Sequence, residues 1–352
     1  MLGSTQRGGL PHRPVHRRLN IDLRRIVAFL SRSVLVRTSA VKQRSPLLDL
    51  PLDLIFSIFD ELRWPEKVVL SQTCRDLWHQ LRPKCSSTLR EATAIQRLEY
   101  LTTLGHILPD HYLCAGCCAL HLVDPKDIPV TGCDVYGHNL YRTRCPLPEP
   151  LWSRHRSYRK YAVAFRHVQL AIKYSRMKGV HQHYRARIMQ KSVVSHPQYY
   201  SIGMTFVAEP IIVYGRFILM TMFEFYEGLE EVSYSTLVQI PVLFCPHHSI
   251  GTFTNHNDAF VTSLRSAFRR SSDTCRPCYR AYSCDRCPSD YSIVIKDKKA
   301  LISIWHDLGT GVSPEDPYWQ SHIWDDKNNH YKGTQFPYQH GSIFRMYYSS
   351  GT

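Results

Sequence analysis

No stretch of this sequence stays apolar for the roughly 18–20 residues that a bilayer crossing needs. The best candidate, Ile211 to Phe225, is broken by Arg216, so no membrane helix is expected. A secretory h-region of the usual kind is also missing. The 12 cysteines therefore read as thiols or metal ligands rather than as a disulfide framework. There is no G-x-S-x-G elbow, H-E-x-x-H pair, P-loop or dinucleotide fingerprint, and Gly309-Thr310-Gly311 alone does not make a phosphate cradle. These absences point away from an enzyme.

Acidic residues are scarce, and most of all near the start of the chain. The formal charge is +15, but residues 1–44 hold ten Lys/Arg against one acid, Asp22, a balance of +9 that leaves +6 for the other 308 residues. The remainder is only mildly basic, which argues against nucleic acid as the main partner. The arm itself reads first as a solvated, disordered leader, next as a nuclear-import or nucleic-acid tail, and last as a mitochondrial presequence.

With 352 residues, 43% of them hydrophobic, the chain is long enough to bury a core without staples. Three parts are expected: the basic arm 1–44, a helical module 45–87, and a larger region 88–352. In the module, Pro51 suits a helix start and Asp53 the first turn. Leu54, Ile55, Ile58, Phe59 and Leu62 recur at helical spacing, and Trp64-Pro65 stops that helix and opens a second, which carries Val68, Val69 and Leu70. Cys74, Leu77, Trp78 and Leu81 mark a third, with Cys74 serving as a small hydrophobe. Three helices in fewer than about 40 residues give a marginal core that wants a partner. Leu47, Leu48 and Leu50 have no place on the inner face of the first helix and are expected to point outward.

In the larger region a helix is expected from about Leu89 to Thr103, and further helices around Phe165 to Ile172 and Ile188, broken near Gly179. Beyond Ser195, Phe206 to Phe225 and Val232 to Phe244 read as antiparallel strands joined at residues 228–231, and Tyr291 to Ile295 as another. The aromatic stretch from Trp305 to Trp324 reads as a packed cover. The fold class is thus α+β: a small three-helix module followed by a mixed helical and antiparallel-β region that zinc could brace. Cys275-x-x-Cys278 and Cys284-x-x-Cys287, five residues apart, can complete a four-sulfur zinc site. Cys245 and His248 are alternative ligands, giving Cys245, His248, Cys284 and Cys287. A second, weaker cluster centres on Cys114 and Cys117, with Cys133 and Cys145 as its further cysteines and His121 and His138 in supply.

The pattern Leu48-x-Leu50-Pro51-x-Asp53-Leu54, then Ile58, Leu62 and Thr73-Cys74-Arg75-x-Leu77, resembles an F-box, with Asp53 where Glu is commoner. The phrases Tyr112-Leu-Cys-x-x-Cys, Phe165-Arg-His-Val-Gln-Leu-Ala-Ile-Lys, Cys245-Pro-His, Cys284-x-x-Cys-x-Ser-Asp-Tyr and Trp305-His-Asp-Leu-Gly are similar to the C-terminal part of a group of fungal F-box proteins. At Arg144-Cys145 the chain departs from that pattern, because Pro146-Leu147 follows where a second cysteine is expected. The resemblance implies a substrate receptor of an SCF (cullin-RING) ubiquitin ligase, working in cytoplasm or nucleus in ubiquitin-dependent degradation. It implies that Leu48, Leu50, Pro51, Leu54 and Ile58, with Leu47 beside them, bind a Skp-type linker protein, and that the larger region binds an unknown target protein. The rival reading is a zinc-dependent nucleic-acid-binding protein using the arm, the Cys pairs and some of the 21 tyrosines.

Overall fold

The computed structural model describes residues 46–81, 91–114, 117–131, 154–157, 161–177, 179, 181–199, 202–228, 230–240, 242–250, 259–271, 281–325, 330–331 and 337–349. The basic arm and Cys133, His138, Cys145, Cys275 and Cys278 lie outside them. The chain divides into two compact units, Met1–Arg97 and Leu98–Thr352, and its architecture is mixed α and β.

In the first unit a 3-10 turn, Pro46–Asp49, leads into α1 (Leu52–Glu61), α2 (Trp64–Gln72) and α3 (75–81). Pro51 sets the start of α1, and its carbonyl accepts from Leu54 N at 3.0 Å and Ile55 N at 3.2 Å. Pro65 lies in the first turn of α2, where its missing N–H leaves nothing unpaired. Ile55, Phe59, Leu77 and Leu81 form the buried centre. Leu47 and Leu48 are half-buried against it, which corrects the expectation that all the leading leucines point outward. A centre of four side chains is too small to close without them. The outward apolar residues are Leu50, Leu52, Leu54 and Ile58, at 36%, 44%, 51% and 40% exposure.

The helix expected from about Leu89 is α4 (Ala94–Ile107). It begins after a capping box in which Gln96 N donates to Thr93 Oγ1 and Thr93 N to Gln96 Oε1. A hairpin follows, β1 (His111–Leu113) with β2 (Leu120–Leu122), then a small sheet in the order β3 (Val130–Thr131), β5 (Tyr161–Ala164), β4 (Arg154–Ser157). Next come α5 (Phe165–Arg176) and α6 (Gln182–Ile188), parted near Gly179 as expected.

The larger sheet has six antiparallel strands in the order β11 (Ala281–Ser283), β12 (Ser289–Lys296), β13 (Lys299–Asp307), β8 (Arg216–Tyr226), β7 (Ile202–Val213), β6 (Ser192–Tyr199). The run from Phe206 to Phe225 is therefore two strands, turned at Tyr214 (φ 50°) and Gly215 (φ 72°), a two-residue hairpin that needs positive φ at both positions. Val232 to Phe244 is not a strand throughout. Ser233 caps a short helix, α7 (Tyr234–Leu237), accepting from Thr236 N at 3.0 Å, and only β9 (Val242–Cys245) is extended. β9 pairs with β10 (His248–Ile250), and α8 (Ala259–Ser271), α9 (Pro317–Gln320), the short pair β14 (Trp324–Asp325) and β15 (His330–Tyr331), and α10 (Ser342–Ser349) complete the described elements.

One face of the sheet, with Phe206, Phe217, Phe223, Phe225 and Ile302, joins α5, Phe244, Phe260 and Trp319 in the main core. The other face, with Val213, Ile218 and Trp305, packs against Ile343 and Phe344 of α10. Trp319 is fully buried beside Phe165, ring centroids 5.5 Å apart, so the aromatic cover is part of the core. Gly311 explains itself by packing: a Cβ there would lie 2.9 Å from Gln169 Cα.

Candidate metal centre

Two tight turns present the ligands. In the first, Cys245 ends β9 and the chain reverses through Pro246-His247 into β10. In the second, Cys284 and Cys287 lie in the turn between β11 and β12, closed by Cys284 N to Ser289 O at 2.9 Å and Ser289 N to Cys287 O at 2.7 Å. Backbone N–H groups point at sulfur in both: His247 N to Cys245 Sγ and Arg286 N to Cys284 Sγ, each 3.4 Å. Such donors stabilise thiolates.

The ligand atoms of Cys245, His247, Cys284 and Cys287 all lie within 4.8 Å of one another, and Cys284 Sγ is 3.6 Å from His247 Nδ1. Ligands on a tetrahedral zinc ion are spaced by roughly 3.5–3.8 Å, given bonds of about 2.0–2.3 Å. The three cysteines are 4%, 1% and 0% exposed and unpaired by disulfide. Burial pushes the thiols of Cys245 and Cys287 up, whereas hydrogen bonds from those two hold Cys284 well down. A divalent cation would favour the thiolate form of all three sulfurs.

Cys245, Cys284 and Cys287 thus stand where the alternative ligand set put them, but the imidazole is that of His247. His248 is opposite Cys245 in the β9–β10 ladder, and its ring packs with Phe260 and Tyr291 while also hydrogen-bonding Cys284. His247 lies in the turn and His248 opens β10, and that difference aims the two adjacent rings differently.

The surroundings hold polar residues that composition did not single out. Ser289 Oγ is 3.3 Å from Cys287 Sγ and 2.9 Å from His306 Nδ1, and His306 Nε2 is 3.4 Å from Thr221 Oγ1. All three are buried. This chain orients the thiolate side of the centre from behind. Asp290, also fully buried, accepts from Ser283 Oγ at 2.6 Å, Gly341 N at 3.0 Å, Ile343 N at 2.8 Å and Phe344 N at 3.0 Å. It caps α10 from a strand about 50 residues away in sequence. Its one sequence signal was its place directly after the Cys-x-Ser step.

The other expected cluster is also partly assembled. Cys114, Cys117 and His121 are brought together, with the same 4.8 Å limit; Cys133 and Cys145 lie outside the described residues. Among the described residues no helix is long and apolar enough to cross a membrane. No protein-family model matches the chain, and no curated protein or solved structure matches it.

Proposed function

We propose that the chain is an F-box adaptor, the substrate receptor of an SCF ubiquitin ligase, and not an enzyme. Residues 46–81 dock a Skp-type linker through Leu50, Pro51, Leu54 and Ile58, and the unit from Leu98 onward binds the protein to be ubiquitinated. The observation that carries this reading is the division of α1: Ile55 and Phe59 fill the small core, while Leu52, Leu54 and Ile58 stand in solvent beside Leu50. Exposed leucine and isoleucine side chains are costly in water, and Leu54 and Ile58, one helical turn apart on the same face, mark a surface suited to another protein. The Leu-Pro-x-Asp-Leu pattern at that face supports the F-box reading.

In this reading the Cys/His centre holds zinc. Three thiolates and one imidazole are soft and borderline donors that suit zinc over magnesium or calcium, and a closed four-ligand set is of the structural kind. Its role is to pin the β9–β10 turn to the β11–β12 turn and so fix that end of the sheet.

The test uses the full chain with Leu54→Asp and Ile58→Asp together. Co-expressed Skp-type linker should no longer co-purify, while the thermal midpoint stays within a few degrees of the unaltered protein. Undiminished capture refutes the adaptor reading. Affinity capture with and without proteasome inhibition then reports the target, which should accumulate when degradation is blocked.

A further inference from the structure

We infer that the β1–β2 hairpin binds a second zinc ion, with Cys114, Cys117 and His121 as the ligands it supplies among the described residues. The inference is independent of the adaptor reading. Cys117 Sγ lies 3.0 Å from His121 Nε2, with Cys114 Sγ inside the same 4.8 Å sphere, and neither thiol is in a disulfide. Two thiolates and an imidazole are the ligand types of zinc.

The hairpin is built to hold that geometry. Tyr112 and His121 are direct partners across the ladder, and the buried Tyr112 ring stacks on the imidazole with centroids 5.8 Å apart and 29° between planes, which fixes the direction of Nε2. Cys114 is tied to the far side of the hairpin end by Cys114 N to Ala119 O at 2.9 Å and Cys118 N to Cys114 O at 3.0 Å. Cys118 adopts φ 49°, a left-handed conformation that side-chain-bearing residues rarely take and that turns the chain directly after Cys117. Leu113 N donates to Gln169 Oε1 at 2.9 Å and Val123 N to Asp110 O at 2.8 Å, so both ends of the hairpin are anchored without a metal.

The two centres differ in access. Cys245, Cys284 and Cys287 are buried, whereas Cys117 and His121 are half-exposed. The hairpin site should therefore exchange its ion first.

The experiment treats the full-length chain with a zinc chelator, follows zinc per chain by native mass spectrometry, and alkylates the free thiols at each time point. One zinc should leave early, and Cys114 and Cys117 should become alkylated with it, before Cys245, Cys284 and Cys287. Separate Cys117→Ser and His121→Ala variants should lack the early zinc and keep the late one. Equal alkylation of Cys114 and Cys117 with and without chelator overturns the inference, and so does a Cys114–Cys117 disulfide in the purified chain. Variants that fold and keep the full zinc count overturn it too. If a variant fails to fold, the alkylation pattern of the unaltered protein decides the question.

Discussion

Helices α1 and α5 reverse the usual division of apolar and polar side chains. α1 is rich in leucine and isoleucine yet leaves Leu52, Leu54 and Ile58 exposed. α5 buries ten successive residues, Phe165 to Tyr174, among them Arg166, His167, Gln169 and Lys173. Buried polar groups are tolerated when they find partners, and each of these four side chains has one, although Gln169 Nε2 has none among the described residues. Arg166 pairs with Asp127, with Nη2 to Oδ1 at 2.9 Å. His167 accepts from Ala164 N at 3.1 Å and lies 3.3 Å from the same carboxylate. Gln169 accepts from Leu113 N, and Lys173 donates to the carbonyls of Leu108 and His111. The partners fall between residues 108 and 127, apart from Ala164, so the polarity of α5 is what fastens the segment bearing Cys114, Cys117 and His121. In α1, Leu52, Leu54 and Ile58 remain exposed among the described residues, the face that the adaptor proposal assigns to another protein.

The contrast breaks most severely at Asp127. Asp127→Ala strands Arg166, whose side chain is only 6% exposed, as a buried charge without its counter-ion, and should lower stability by about 3–5 kcal/mol in a denaturant titration. A loss below about 1 kcal/mol would mean that water reaches the guanidinium. Next in size is the pair Ile55→Ala and Leu54→Ala. The first removes a buried side chain and should cost about 2–5 kcal/mol. The second alters an exposed position and should stay within about 0.5 kcal/mol, so similar costs would erase the division of α1.

Lys173 gives the smallest effect and a pH test. Burial lowers its pKa to about 8, with Asp110 partly opposing, against roughly 10.4 in an unfolded chain. Between those values the unfolded state binds more protons, so the Lys173 contribution makes stability rise with pH. Denaturant midpoints at pH 7.5 and 9.5 should therefore increase more for the unaltered protein than for Lys173→Met. Equal slopes would show that the ammonium is not desolvated by α5.

Some of this was legible in the residues. Pro51 and Trp64-Pro65 bound the first helix because proline restricts the backbone locally, and spacing and side-chain chemistry named, in the alternative set, Cys245, Cys284 and Cys287 of the four residues gathered here, whereas Cys275 and Cys278 of the first set lie outside the described residues. Turns without glycine or proline punctuation were harder to read. Asp297 and Lys298 join β12 to β13 with φ 51° and 65°, a two-residue hairpin that carries no glycine, so β13 had no visible start. The β7–β8 turn hid inside an apolar run for a related reason, since Tyr214 is an unusual left-handed residue. His247 could not be told from His248 because strand pairing, not spacing, aims each ring. The role of Asp290 depends on donors about 50 residues later, beyond any local window.

Asp290 also orders events in time. Its carboxylate is buried in β12, but its backbone donors belong to Gly341, Ile343 and Phe344. Until those residues have left the ribosome, Asp290 would keep Ser283 as a donor but lack its three backbone donors, beside the turn that carries Cys284 and Cys287. The helical module at 46–81 has every partner of its core within reach as soon as it emerges. Synthesis should therefore yield a chain whose early helices are already formed while its sheet still waits for α10, and the Cys/His centre should mature last.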